Sequence, residues 1–469
     1  MSLSRMAVAA MGTALCLLLP LQAARADTGV TSPLENVAEQ AYIWGYPLVE
    51  AAKIRLRVTD PAYTGGSNAM LAPLNQFTHK RELADPDYRI GVGPNNDTVY
   101  SLAWVDLGAG PIVFEAPDFG ARYYTFSMNL ADSSAQQSLG QRTHGGQLPP
   151  VFLHGPEFTG AVPEGMVEVA SSTRYLLIAG RILVRDASEY PLVNALQDQL
   201  RLRSWAQYRA GQPGPAPAPA QRPLLTDTQQ QLPEELAFYA ELGNVMRDWS
   251  FSEDDRRLLA DMATLHLTPQ AGFDPAALDA AQRAALRRGY AAGRAAVAEK
   301  SLQLGTEVNG WTVNYRGPRF GDDILLRAAV AKDQIYVAIP EEAIYPIARV
   351  DAAGEPLDGA SRYRIVLDAN ALPPVDAFWS ITLYDDAGYM VHNPIGRYSI
   401  GDRSNDLVYR DDGSIVIELA TTAPPAGQQV NWLPAPEGPF YLMMRLYIPR
   451  DAILSGAWVP PPVARLGSE

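Results

Sequence analysis

Cysteine occurs once, at Cys16, and lysine only four times, at Lys53, Lys80, Lys300 and Lys332, beside 34 arginines. A thiol nucleophile, a thiolate metal site and a disulfide all need cysteine, so a chain whose single Cys16 sits in a cleaved leader has none of them. The five histidines (His79, His144, His154, His266 and His392) form no i, i+2 or i, i+4 pair. A strand-borne or helix-borne metal site takes its ligands at those spacings, so no metal is expected. The serine elbow G-x-S-x-G, the S-x-x-K pair and the phosphate loop G-x-x-x-x-G-K-[ST] are also missing. Nucleotide chemistry and classical serine hydrolysis are therefore disfavoured, and no cofactor is expected. Beyond the N-terminus no apolar run approaches the ~18 residues that a spanning helix needs.

The first 26 residues read as a signal peptide. Arg5 supplies the positive start, "MAVAAMGTALCLLLPL" the apolar core, and Ala24-Arg25-Ala26 a small-x-small cleavage site before Asp27. The expectation is a periplasmic or secreted protein with no integral membrane segment after cleavage. Removing the leader takes away two arginines and no acid, moving the formal charge from -14 to -16. Such a balance argues against nucleic acid and anionic membrane surfaces as partners.

Residues 35–58 carry apolar positions at helical spacing, with Gly45 and Pro47 predicting a kinked or two-part helix. From about 71 to 185 the period changes to two, and "TVYSLAWVDL", "PIVFEAP", "RYYTFSMNLA", "PVFLHG", "GMVEVAS" and "RYLLIAGRILV" read as short strands between turns. Residues 189–209 look helical. "AGQPGPAPAPAQRP" suits a linker or exposed loop. Three amphipathic helices follow, opened at Pro233, Ser252 and Asp274-Pro275. From 305 strands dominate, with hairpins expected at Asp385-Asp386-Ala387-Gly388 and Asp411-Asp412-Gly413. Turn chemistry accounts for these aspartate pairs without calcium. The division expected is a signal peptide at 1–26, a helix plus β-sandwich domain at 27–209, a linker at 210–225, a helical segment at 226–304 and a C-terminal β-sandwich at 305–469.

"AYIWGYPLVE", "GPNNDTVYSLAWVDL", "RYYTFSMNLADS" and "TRYLLIAGRILV" resemble the family called domain of unknown function 1254. "FWSITLYDDAGYMVHNPIGRYSIGDRS", "DDGSIVI", "NWLPAPEGPFYLMMRLYIPR" and "GAWVPPPV" resemble its usual C-terminal companion, domain of unknown function 1214. The resemblance implies a mainly β protein, two jelly-roll-like antiparallel sandwiches flanking a helical segment, in a homo-oligomer. It brings no activity, cofactor or catalytic residue with it.

The residues that invite a functional reading are polar and aromatic. Strand alternation puts Thr98, Tyr100, Leu102, Trp104 and Asp106 on one face, and Arg122, Tyr124, Phe126, Met128 and Leu130 on one face of the next long strand. A cavity lined by Tyr100, Trp104 and Tyr124, with Asp97, Arg122 or Arg142 at its mouth, would suit a ring-shaped or apolar molecule. Asn95 and Asn96 lie in the same polar knot, and Arg397 and Tyr398 in a loop where binding residues are common. The competing reading makes the aromatics core and lets Asn95, Asn96 and Asp97 cap a turn. Arg174, Arg181 and Arg445 sit in or beside apolar strands and need partners if buried. Asp97, Asp106 or Asp376 could pair with them, or they could anchor a substrate carboxylate. Three functions fit: a periplasmic enzyme on a small organic molecule, free of metal and nucleotide and using Asp97 or Tyr100 as acid or base; a glycan or hydrophobic-ligand binding protein; or a structural envelope protein.

Overall fold

The computed structural model describes residues 32–63, 70–89, 92–253, 255–425 and 431–467. The expected signal peptide and its cleavage site lie outside them. Helix and strand take nearly equal shares of these residues, so the chain is mixed helix and sheet rather than mainly β. No helix among the described residues is long and apolar enough to cross a membrane.

The N-terminal region contributes β1 (Thr78–His79), β2 (Thr98–Asp106), β3 (Ile112–Glu115), β4 (Tyr124–Leu130), β5 (Ala135–Gly140), β6 (Val151–His154), β7 (Val167–Ala170), β8 (Tyr175–Leu183) and β9 (Arg201–Ser204). They form two sheets, in the orders β1-β2-β8-β4-β5 and β7-β6-β3-β9. One apolar cluster draws on both: Val99, Ala103 and Val105 of β2, Tyr124, Phe126 and Met128 of β4 and Leu176 and Ile178 of β8 meet Ile112, Phe114, Val151 and Leu153. Because side chains alternate along a strand, Tyr100, Leu102, Leu177, Ala179 and Arg181 must face the other way.

A short pair, β10 (Leu267–Thr268) and β11 (Gly272–Phe273), lies among the helices. The C-terminal region adds β12 (Thr306–Val308), β13 (Trp311–Val313), β14 (Ala343–Ile344), β15 (Ile347–Ala348), β16 (Tyr363–Leu367), β17 (Val375–Asp385), β18 (Ser399–Gly401), β19 (Ile415–Ala420), β20 (Trp432–Pro434), β21 (Phe440–Pro449) and β22 (Ala464–Arg465). Here too a larger sheet, centred on β17 and β21, and a smaller one, β20-β19-β16-β22, share a cluster of buried apolar residues.

Several elements depart from the sequence reading. The first helix runs unbroken from Pro33 to Thr59 with Pro47 inside it. Tertiary packing overrides the break: Gly45 lets Leu242 approach so closely that a Cβ would stand 2.5 Å from it. Residues 189–209 are not one helix; β9 interrupts them and pairs with β3. The long helix Ala280–Ser301 starts after Asp279, whose carboxylate accepts from the Gln282 amide in a capping box, rather than at Asp274-Pro275. Both expected hairpin turns form, with Gly388 N–H donating to Asp385 O and Gly413 N–H to Arg410 O. The first opens the connection from β17 to β18, its antiparallel neighbour, whereas the second leads into β19 with no strand just before it. β17 also pairs with β21, and β19 with β16 and β20. The Pro/Ala-rich segment is the exposed loop expected, pinned at one point where Ala216 is buried and Asn75 Nδ2 donates to the carbonyls of Ala216 and Pro217. Inside the region expected to be all strand lies a helix, Ile324–Asp333, capped by Asp323.

Candidate functional site

The knot Gly93-Pro94-Asn95-Asn96-Asp97 joins the two halves of the molecule. Asn95 Oδ1 accepts from the amides of Asp97 and Thr98, which is the Asx turn expected of such a sequence. Asp97 O accepts from the Val184 amide, and the contacts that follow reach the C-terminal region. Gly93 N–H donates to Gly388 O, and Gly93 O accepts from the guanidinium of Arg445. Pro94 O accepts from the Tyr384 hydroxyl, and Asn95 Nδ2 donates to the Tyr447 hydroxyl at 2.6 Å. Asp97, 3% exposed, accepts from Ser380 Oγ and from Arg403, each at 2.6 Å. Arg445 donates to Thr382, Tyr384 and Gly93 O with no carboxylate within ion-pair distance among the described residues.

Held this way, residues 92–95 roof a cavity of about 280 Å³ on the outward face of the β1-β2-β8-β4-β5 sheet. Its floor is Tyr100, Leu102, Leu177, Ala179 and Arg181; Lys80, Tyr88, Ile335 and Tyr336 complete the walls. No acidic residue lines it, in a chain that carries 52 acids against 38 basic residues. Arg181 is 8% exposed, and its Nε and Nη1 have no hydrogen-bond partner. No carboxylate lies within ion-pair distance of it among the described residues; its guanidinium sits 5.3 Å from the centre of the Tyr100 ring. A buried cation left without a partner is costly unless something arrives to neutralise it. Lys80 is a second cation without an acid partner, its ammonium 3.7 Å from the centre of the Tyr88 ring. Burial pushes it down to about 8, against the upward pull of Asp85 and Glu82.

Tyr336 bears a further mark of a built site. It follows the helix Ile324–Asp333, sits in the left-handed region at φ 63°, and packs edge-on against Trp104. A bulky residue there costs on the order of 1–3 kcal/mol and persists only where its surroundings hold it. Its hydroxyl is buried and unpartnered, and burial raises it well above the usual phenol range.

Among the residues expected to form a site, Tyr100 and Asn95 line this cavity. Trp104 is buried against Ala51, Leu74 and Leu177 beside it. Tyr124 points to the opposite side of the sheet, stacked on Phe119 at 4.0 Å, so Tyr100, Trp104 and Tyr124 do not share one wall. Asn96, Asp97, Arg397 and Tyr398 line a separate, polar cavity of about 390 Å³ at the seam between the halves. Arg397 donates there to Trp432 O and pairs with Asp406. Arg122 is paired with Glu189, and Arg142 with the fully buried Glu342, which also accepts from the Tyr123 hydroxyl. Arg174 grips Asp106 through two hydrogen bonds and reaches Asp248. Lys80, Tyr88 and Tyr336 were not expected at a site. The rarity of lysine was the one signal that could have singled out Lys80. No group of three or more His, Cys, Asp or Glu among the described residues is placed to hold a metal ion.

No curated protein matches the chain. Among solved structures, the VPA0106 protein of Vibrio parahaemolyticus is 24% identical, covers 92% of this chain and 100% of its own, and superposes with a TM-score of 0.69. That likeness establishes a common fold. An uncharacterised protein from Burkholderia cenocepacia is 14% identical over 92% of this chain and 94% of its own, with a TM-score of 0.44, a distance at which no detail transfers. Residues 74–204 match the model "Protein of unknown function (DUF1254)" and residues 342–451 match "Protein of unknown function (DUF1214)". The chain is thus a DUF1254 region followed by a DUF1214 region, the pairing that its sequence motifs resemble.

Proposed function

We propose that the protein binds a small organic anion, a carboxylate with an apolar or aromatic body, in the cavity above Arg181. The observation that carries this reading is the buried guanidinium of Arg181, with Nε and Nη1 unpartnered, in a wall with no acid. A carboxylate would supply the missing acceptors as a charge-assisted pair, while Leu102, Leu177, Ala179 and the rings of Tyr88, Tyr100 and Tyr336 would take its body. If the bound molecule is turned over, Tyr100 and Lys80 are the groups in reach that can move a proton. Asp97 faces the other cavity and is held by Arg403 and Ser380. This reading favours the small-molecule hypotheses over a scaffold, and the expected leader would place the activity outside the cytoplasm. The finer architecture belongs to the same proposal: each pair of sheets forms one sandwich, since one apolar cluster serves both members.

Native mass spectrometry of the protein purified from its own cells tests the reading. A retained small acid, lost in Arg181→Gln, supports it. A retained neutral or cationic molecule, or an anion held equally well by Arg181→Gln, refutes it.

A further inference from the structure

The register of the N-terminal sheet places Lys80 and Arg181, neither in an ion pair among the described residues, in one row. Tyr100 of β2 is paired with Arg181 of β8, which is paired on its other side with Thr125 of β4. Lys80 continues the β1 pairing, its amide donating to Tyr100 O at 2.8 Å. Directly paired residues project to the same face of a sheet, so Lys80, Tyr100 and Arg181 stand side by side. Adjacent strands are ~4.8 Å apart, which sets Lys80 and Arg181 roughly 10 Å apart at their Cα atoms, with Tyr100 between them.

The two charged heads go to different rings. The guanidinium of Arg181 lies by Tyr100, and the ammonium of Lys80 lies over Tyr88. They are therefore separate anchor points at two positions in one cavity. A single carboxylate at Arg181 would leave Lys80 without an anionic partner, whereas a molecule with a charge at each end neutralises both. The lining between them, Tyr100, Leu102 and Ala179, offers apolar surface for a short connecting chain.

We infer that the ligand is a dianion, a short dicarboxylate whose one end is held by Arg181 and the other by Lys80. This rests on the anion reading above and narrows its substrate class. Neither cation makes an ion pair to the protein among the described residues, so both charges can serve a ligand.

Isothermal titration of the full chain with succinate, glutarate, adipate and pimelate, each against its monomethyl ester, separates the two claims. The expected result is one preferred diacid binding at least ~10-fold tighter than its monoester, the difference that ~1.4 kcal/mol makes. Lys80→Gln should erase that difference while leaving monoester binding in place, and Arg181→Gln should abolish both. A monoester that binds as tightly as its diacid, or a diacid preference that survives Lys80→Gln, overturns the dianion inference and leaves the anion site standing. Absence of binding by every acid and ester counts against both.

Discussion

Two arginines seven residues apart should respond to the same substitution with opposite signs. Arg181 and Arg174 bracket the strand "YLLIAG", one over the cavity and one at the other end of the sheet. Arg181 leaves Nε and Nη1 unmatched. Each buried donor without a partner costs about 1–3 kcal/mol, and exchanging a buried ion for an apolar side chain of similar length commonly gains about 1–4 kcal/mol. Methionine keeps the apolar stem that packs beside Tyr100 and drops the charge. Arg181→Met should therefore stabilise the empty protein by about 2 kcal/mol. Arg174 is the contrary case: it closes two hydrogen bonds on Asp106, whose side chain is 1% exposed. Arg174→Met leaves that buried carboxylate with the Gly108 amide but no counter-charge in contact, a loss of about 3 kcal/mol.

Thermal unfolding followed by tryptophan fluorescence reads both variants. For a chain of this size each kcal/mol moves the midpoint by about 2 °C, so Arg181→Met should melt about 4 °C above the parent and Arg174→Met about 6 °C below it. Saturating diacid should raise the parent midpoint and leave Arg181→Met where it was, since a ligand at a hundred times its Kd adds about 2.7 kcal/mol only to a state that binds it. If Arg181→Met instead falls alongside Arg174→Met, the guanidinium holds the fold together and the cavity has lost its reason to bind an anion.

Asp97→Ala should cost about 2 kcal/mol, because Arg403 loses its 2.6 Å partner and keeps only Asp402, at 4.0 Å, as counter-charge; urea unfolding checks this, and diacid binding by the folded fraction should survive. His79 is pushed down to about 4 by burial and by Arg81, so its folded form holds the proton less tightly than the unfolded chain near 6.5. Stability should accordingly be full above pH 6.5 and fall by up to about 3 kcal/mol as pH drops toward 4, and His79→Gln should flatten that limb in a pH series of melts. Asp402 works with the opposite sign: burial lifts its carboxyl to about 6, so its contribution is present below pH 3.8 and is lost as pH rises through 6, and Asp402→Asn should remove that slope. Gly289→Ala should lower the melting midpoint by several degrees, since the new Cβ would stand 2.4 Å from that of Ala38 and force the helices Pro33–Thr59 and Ala280–Ser301 apart.

The strands of the N-terminal half were legible because alternation and turn residues agree there. β2, β4 and β8 fall where "TVYSLAWVDL", "RYYTFSMNLA" and "RYLLIAGRILV" place them. What alternation does not carry is the partner of each strand. Tyr100 and Tyr124 were grouped in one wall because each belongs to a patterned strand, yet the pairing of Thr125, not Tyr124, with Arg181 sends Tyr124 to the other face. Arg181 and Lys80 are a hundred residues apart and become neighbours only through Tyr100, so no local window could join them. The hairpin signals carried the turns but not the strands around them. Asp and Gly fix a turn, but β17 pairs with β18 only after a further loop, and with β21 across 55 residues of chain.

The same geometry gives a physical reason for the two regions to travel together. The floor of the cavity belongs to the DUF1254 region, and its roof, residues 92–95, is held down by Gly388, Tyr384, Arg445 and Tyr447 of the DUF1214 region. Three of these four contacts use the roof's backbone, Gly93 N–H, Gly93 O and Pro94 O, so within the roof only the Asn95 bond to Tyr447 depends on a side chain. Gly93 itself leaves little room for change, at φ 61° and with a Cβ that would stand 3.2 Å from Met443. Arg445 is then explained without a ligand. It is the donor that ties the roof to β21, and its unpaired charge is spread over a carbonyl, a hydroxyl and a phenol. Arg181, with the same burial and no such acceptors, is the arginine left over for a guest.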